Sequence, residues 1–235
     1  MVTGLGIVTG LGIVTGLAAE ARCLRRASQR SPTAPLIRHA AGDAQAAAQS
    51  FVADGLGCLM SFGVAGGLDP ALRPGQVIVA TEIITTELNT GTDGRFECQA
   101  AWRDELIDRL SRFLPLAAPL AGSDVAIATR HDKAAMHAHL GAAAVDMESH
   151  RVACVAARAG LPFAAVRVIA DPADRALPSS ALAGFNARGE TQIGAVLWEL
   201  ANHPLQLPAL IRVARDSNKA FSTLNRCAAL LFGGG

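Results

Sequence analysis

The sequence predicts an α/β fold, a sheet covered by helices on both faces. Short apolar or β-branched runs alternate with segments of helical periodicity along most of the chain. The length, 235 residues, suits one large domain with a sizeable core. Carboxylates also stand where apolar runs end: Asp146 and Glu148 after one run, Asp171 after the next. In open α/β sheets ligands bind beyond the carboxyl ends of the strands, so acids placed there read as a site.

Residues 1–19 carry no charge, and about 20 apolar residues can cross a bilayer. Eight of these nineteen are Gly or Thr, however, and no basic stretch precedes them. Three tandem copies of VTGLGI or its beginning start at Val2, Val8 and Val14. The period is too short for a solenoid. The last copy leads into a helical pattern, which makes residues 12–15 the first strand and 1–9 a duplicated segment. A helix follows over 17–27, then a strand over 35–40. Residues 43–55 form an Ala-rich helix with Asp43 as N-cap and Gly55 as stop. A strand over 58–63 ends in the turn GVAGG, residues 63–67. Residues 76–87, rich in Ile, Val and Thr, are the clearest strand. Leu106, Leu110 and Phe113 recur at helical spacing in 102–114. Strands are expected at 124–129, 143–147 and 163–170, and helices at 131–140 and 148–159, the latter stopped by Gly160 and Pro162.

Composition excludes several classes. A net charge of +1 provides no strong field for nucleic acid or anionic lipid. With 4% aromatic residues and no basic stripe, a nucleic-acid module is disfavoured. A hydrophobic fraction of 51% argues against disorder. Five scattered cysteines without a C-x-x-C read as reduced thiols of a cytoplasmic protein, with no metal site. His137 and His139 diverge on a helix. Gly10, Gly12 and Gly16 are spaced one residue too long for a dinucleotide fingerprint, which counts against an oxidoreductase.

Three stretches, SFGVAGGLDPALRPGQVIVA, AVDMES and PFAAVRVIADPAD, resemble in order and spacing the signatures of the purine nucleoside phosphorylase and methylthioadenosine/adenosylhomocysteine nucleosidase superfamily. The resemblance runs from about Gly12 to Val196. GDAQAAA, KAAMHAHLGAAAVDMESH and RVIADPADRALP are most similar to hopanoid-associated phosphorylases. The resemblance implies a three-layer αβα phosphorylase/hydrolase-like fold with a central mixed, largely parallel sheet. It implies a catalytic domain over 10–198, followed by a helical extension over 199–235. It also implies cleavage of the N-glycosidic bond of an adenine nucleoside. The closest subfamily implies release of adenine from adenosylhopane by phosphorolysis, with inorganic phosphate as co-substrate and no other cofactor. The alternative is hydrolysis of methylthioadenosine- or adenosylhomocysteine-like nucleosides.

The chemistry explains the residue types. Breaking a purine N-glycosidic bond builds positive charge on the ribose, and the leaving base needs a proton. By resemblance Asp171 is the acid acting on purine N7, although an Asp also commonly opens a D-P turn. Glu148 maps onto the ribose-binding acid, where the bland reading is a first-turn helix residue. Met147 maps onto the residue packing against the ribose. Gly63, Val64, Ala65 and Gly66 would offer backbone N–H groups to an anion or a water. Glu20 matches the acid that orients an attacking water, against the reading of an exposed helix residue paired with Arg.

The chain departs from the family at Ser61, where phosphorylases often carry Arg. It departs again at Val64, where a Ser or Thr is usual, and at Ala170, where a Ser orients the acid. It also lacks a base-stacking aromatic around 129–133. Arg22, Arg25 and Arg38 are substitutes for phosphate contacts or plain surface charges. The tail predicts a helix from Pro208 to Leu230, with Leu210, Val213, Ser217, Phe221, Leu224 and Ala228 along one stripe. That stripe would cover the core or form a contact in a homodimer or higher oligomer. Alternatively it would meet a lipid-linked substrate or rest peripherally on the inner membrane.

Overall fold

The computed structural model describes residues 2–3, 6–7, 10–29, 31–40, 42–85, 94–182, 198–200 and 202–233. The end of the strand expected over 76–87, and Val196, where the family resemblance ends, lie outside the described residues. Two short strands, β1 (Val2–Thr3) and β2 (Gly6–Ile7), pair with each other in a separate two-stranded sheet. Among the described residues the main sheet has eight strands: β3 (Leu11–Thr15), β4 (Leu36–His39), β5 (Cys58–Gly67), β6 (Val77–Thr85), β7 (Gly94–Glu97), β8 (Leu116–Gly122), β9 (Ala144–Asp146) and β10 (Phe163–Asp171). The helices are α1 (Ala18–Ser28), α2 (Ala44–Ala53), α3 (Ala100–Arg109), α4 (Arg130–Leu140), α5 (Ser149–Arg158), the short α6 (Ser179–Leu182) and α7 (Leu207–Phe232).

The sheet is mixed and largely parallel. The β3–β4, β3–β5, β5–β10, β6–β8 and β8–β9 pairs are parallel, and β6–β10, β5–β9 and β6–β7 are antiparallel. Because β5 pairs with β3, β10 and β9, the strands β5, β10, β6, β8 and β9 close on themselves. Alternation along the strands divides the core into two. Val14, Leu59, Ile78 and Ala165 join Phe51 of α2 and Val152 of α5 on one face. Ile13, Met60, Val79 and Val166 join Leu24 of α1, Trp102 of α3 and Leu224 of α7 on the other. Helices on both faces give the three layers.

Two expectations need correcting. GVAGG is no turn. Residues 63–67 continue β5, which pairs with β10 as far as Gly66 and with β9 at Gly66 and Gly67. Two ladders supply backbone partners, and they override the turn propensity of three glycines. The strand expected over 124–129 is irregular, and the strand instead precedes it as β8. The run LAAPLAG has weak β propensity and contains Pro119. Burial between β6 and β9 determines its conformation.

The start of α7 is largely exposed, whereas its second half belongs to the core. Ala220, Leu224, Cys227, Ala228, Leu231 and Phe232 are buried, and the Phe232 ring meets Phe62 edge-on at 6.2 Å. The five cysteines are free and buried. No helix among the described residues is long and apolar enough to cross a membrane.

Candidate active site

Arg167 interrupts the apolar run of β10 and is fully buried. A guanidinium removed from water needs acceptors on every side. Its Nε donates to Asp146 Oδ2 at 3.0 Å, and its Nη2 donates to Ser61 Oγ at 2.7 Å and Ser149 Oγ at 3.0 Å. Glu148 Oε2 stands 3.6 Å from Nη2. Nη1 has no hydrogen-bond partner among the described residues. It points toward Gly63, where a Cβ would come within 2.6 Å of it and within 2.4 Å of Glu20 Oε1. Only a residue without a side chain lets this acid and this cation face the same spot.

Glu20 sits in the first turn of α1 and is buried. Its Oε2 accepts from the Leu17 N–H at 2.8 Å, tying off the helix start, and its Oε1 accepts from the Val64 N–H at 2.7 Å. Burial pushes its pKa up, and Arg167 and the backbone N–H groups only partly offset this. Asp146 ends β9. Its Oδ1 accepts from the N–H groups of Glu148 (2.8 Å) and Ser149 (2.6 Å), building the turn into α5. Burial works to raise the Asp146 pKa, but the Arg167 guanidinium and these hydrogen bonds prevail and hold it below the usual value. Glu148 receives less from the same cation. Burial pushes it up to about 8, with Asp146 and Glu20 adding repulsion. A quarter of its side-chain surface still meets solvent, at 24% exposure. Its carboxyl fills the space beside Gly16, where a Cβ would come within 2.3 Å of Oε1. Met147 is exposed.

A second group of charges lies at the end of β10. Between Ile169 and Asp171 the register with β5 shifts, so that Asp171 pairs with Gly66. The Asp171 carboxyl accepts from Nζ of Lys133, a fully buried lysine on α4. Burial raises the Asp171 pKa, and Lys133 counteracts it. Asp171 also lines a cavity of about 260 Å³, together with Arg130, Pro172, residues 174–177, and Ala209, Arg212, Val213 and Asp216 of α7.

The structure thus brings Glu20, Glu148, Gly63 and Val64 together and places Asp171 with Gly66 in a neighbouring group. The parallel strands β5 and β10 connect the two, with Arg167 opposite Gly63 and Asp171 opposite Gly66. Ala65 is buried in the core. The Val64 N–H, expected to face an anion, is taken by Glu20. Arg38 is held by Asp54 at 2.8 Å and lies over the Phe51 ring, while Arg22 and Arg25 are exposed, Arg25 reaching the Ile37 carbonyl. Sequence reasoning missed Arg167 and Lys133, although both left a signal. Arg167 is a charge inside an apolar strand. Lys133 shares a helical face with Met136 and Leu140, both packed inward.

The solved structures similar in fold include two nucleosidases and a hydrolase. One is the 5′-methylthioadenosine/S-adenosylhomocysteine nucleosidase of Neisseria meningitidis, with TM-score 0.70 and 15% identity, covering 95% of this chain and 98% of that one. The Campylobacter jejuni enzyme of the same description gives 0.64 and 15%, covering 92% and 99%. The native futalosine hydrolase of Helicobacter pylori gives 0.61 and 16%, covering 70% and 88%. Identities this low speak to the fold. A search of curated proteins finds no match. A family model described as the phosphorylase superfamily matches residues 33–202, more than two thirds of the chain, and the chain belongs to that superfamily.

Proposed function

We propose that the protein cleaves the N-glycosidic bond of a 5′-substituted adenine nucleoside, with water as the nucleophile. The observation that carries this reading is the pair formed by Glu20 Oε1 and Arg167 Nη1 against Gly63. A buried carboxyl locked by two backbone N–H groups, beside an unpaired guanidinium N–H, suits a water that must be held and deprotonated. It suits phosphate poorly. Three acids, Glu20, Asp146 and Glu148, surround one cation, and the predicted anion donor at Val64 is engaged.

In this mechanism Asp171 gives its proton to N7 of the base, and the bond from C1′ to N9 breaks. The leaving pair of electrons goes to the base, and the positive charge stays on the ribose. Glu148 accepts hydrogen bonds from the ribose hydroxyls, and as the sugar becomes cationic the ionised form of this acid is favoured. Water attacks C1′ and its proton passes to Glu20. The cavity beside Asp171 would hold the base.

A long apolar 5′ group, as in adenosylhopane, is the finer reading. It is supported by the exposed apolar residues Trp198, Leu205, Leu207 and Ile211 near the start of α7, the helix that walls the same cavity. Peripheral membrane contact would use the same residues. The test is incubation with adenosylhopane, methylthioadenosine and adenosine, each with and without phosphate, followed by identification of the sugar. Adenine together with free sugar, at a rate independent of phosphate, is expected. A phosphate-dependent rate with a sugar 1-phosphate would establish phosphorolysis, and no adenine from any substrate would overturn the reading.

A further inference from the structure

Lys133 is the least expected charge in the molecule. It is fully buried, and its three ammonium protons each have an acceptor. One goes to Asp171 Oδ2, one to the Pro172 carbonyl at 3.0 Å and one to the Arg175 carbonyl at 3.0 Å. A lysine used only to tie down the 172–175 loop could meet those carbonyls without placing its charge against an acid. Here the charge sits on one oxygen of Asp171. The other, Oδ1, is the one nearer Gly66, 3.2 Å from where a Cβ would stand against 3.5 Å for Oδ2, and the Lys133 bond is what sets the two apart. The two oxygens of the acid are therefore inequivalent.

We propose that Lys133 is a positioning residue for Asp171, its ammonium holding Oδ2 so that Oδ1, the one nearer Gly66, is the oxygen that carries the proton to the base. This inference rests on the reading of Asp171 as the acid. It assigns to a helix remote in sequence the orienting role for which the residue at position 170, an alanine, has no polar group. Lys133 also limits the pH range in which Asp171 is a proton donor. A carboxylate is favoured beside an ammonium, so the charge makes Asp171 release its proton at lower pH than burial alone would allow. The other charged groups around the cavity are Arg130 on α4, Asp174 and Arg175 on the loop, and Arg212 and Asp216 on α7. Arg175 is paired with Asp216 and lies 3.8 Å from Asp174, and it is Lys133 whose ammonium bonds Asp171.

The test compares pH profiles of kcat/KM for wild type and Lys133→Met on methylthioadenosine. Removing the ammonium should lower kcat and move the alkaline limb upward by roughly one to three pH units, the range an adjacent opposite charge imposes. Lys133→Gln, which can still donate to the loop carbonyls, should move the limb similarly. Adding Lys133→Met to Asp171→Asn should cost nothing further in rate, because the lysine acts through the acid. Loss of rate with an unmoved limb, or a loss that multiplies on the Asp171→Asn background, would make Lys133 merely structural and overturn the proposal. So would failure of both single variants to fold. If Asp171→Asn itself retains wild-type activity, the reading of Asp171 has failed instead.

Discussion

Two buried cations organise the molecule, and they are arranged in opposite ways. Arg167 faces an excess of acids, and Lys133 faces one. At Arg167 the excess sorts the carboxyls. Asp146, bonded to the guanidinium, stays ionised below the usual range, while Glu148, 3.6 Å away, is pushed up to about 8 and Glu20 is also raised. At Lys133 the pairing is one to one, yet burial still raises Asp171. The difference follows from the cations. A planar guanidinium with five donors can serve several acceptors at once, whereas an ammonium is a point charge with three. The first arrangement separates an acid that ionises readily from acids that resist ionising. The second holds a single acid in a single orientation.

Substitutions at each cation's partners separate the two roles. Asp171→Asn should have the largest effect, lowering kcat by about 10²–10⁴-fold, the usual contribution of a general acid, without unfolding the chain. Steady-state rates with circular dichroism would check it. Arg167→Met should act on stability first, at about 3–5 kcal/mol, because it leaves acids buried without their cation. Asp146, whose folded pKa lies below its unfolded one, stabilises the fold above the unfolded pKa and loses this as pH falls. The deficit of Arg167→Met, measured by denaturant melts, should therefore be larger at neutral pH than in acid.

Glu148→Gln should act in the reverse sense. A carboxyl raised from 4.5 to about 8 favours the fold at low pH, and the benefit is lost as pH rises between those values. The melting temperature of this variant should fall less than that of wild type over that interval. Its kcat should drop as well, and a change in KM alone would make Glu148 a ground-state binder. The smallest effect should come from deleting residues 2–7, which leaves a single VTGLGIVTGL. Among the described residues, β1 and β2 pair with each other and with no strand of the main sheet. A large fall in melting temperature would show that the extra copy is packed.

Most of the element order was legible because periodicity and caps reported it locally. Asp43 accepts from the Ala46 N–H at 2.8 Å, Gly160 ends α5 with φ of 64°, and the tail helix spans Leu207–Phe232 against an expected 208–230. The failures share a cause. The continuation of β5 through GVAGG and the position of β8 depend on pairing with distant strands, which a local reading of glycines and Pro119 does not see. The site divides in the same way. Acids at strand ends were visible, but their partners Arg167 and Lys133 come from the middle of a strand and the inner face of a helix. Such positions read as core until the fold places an acid opposite them.

In the proposed reaction water, held between Glu20 and Arg167, attacks the ribose. Single-turnover cleavage of methylthioadenosine in ¹⁸O-labelled water, with mass spectrometry of the sugar, tests it most directly. The label should appear in the released sugar at C1′, with or without phosphate present, and the signal should vanish in Glu20→Gln. Sugar 1-phosphate formed in place of the labelled sugar, or undiminished labelling in Glu20→Gln, would contradict it.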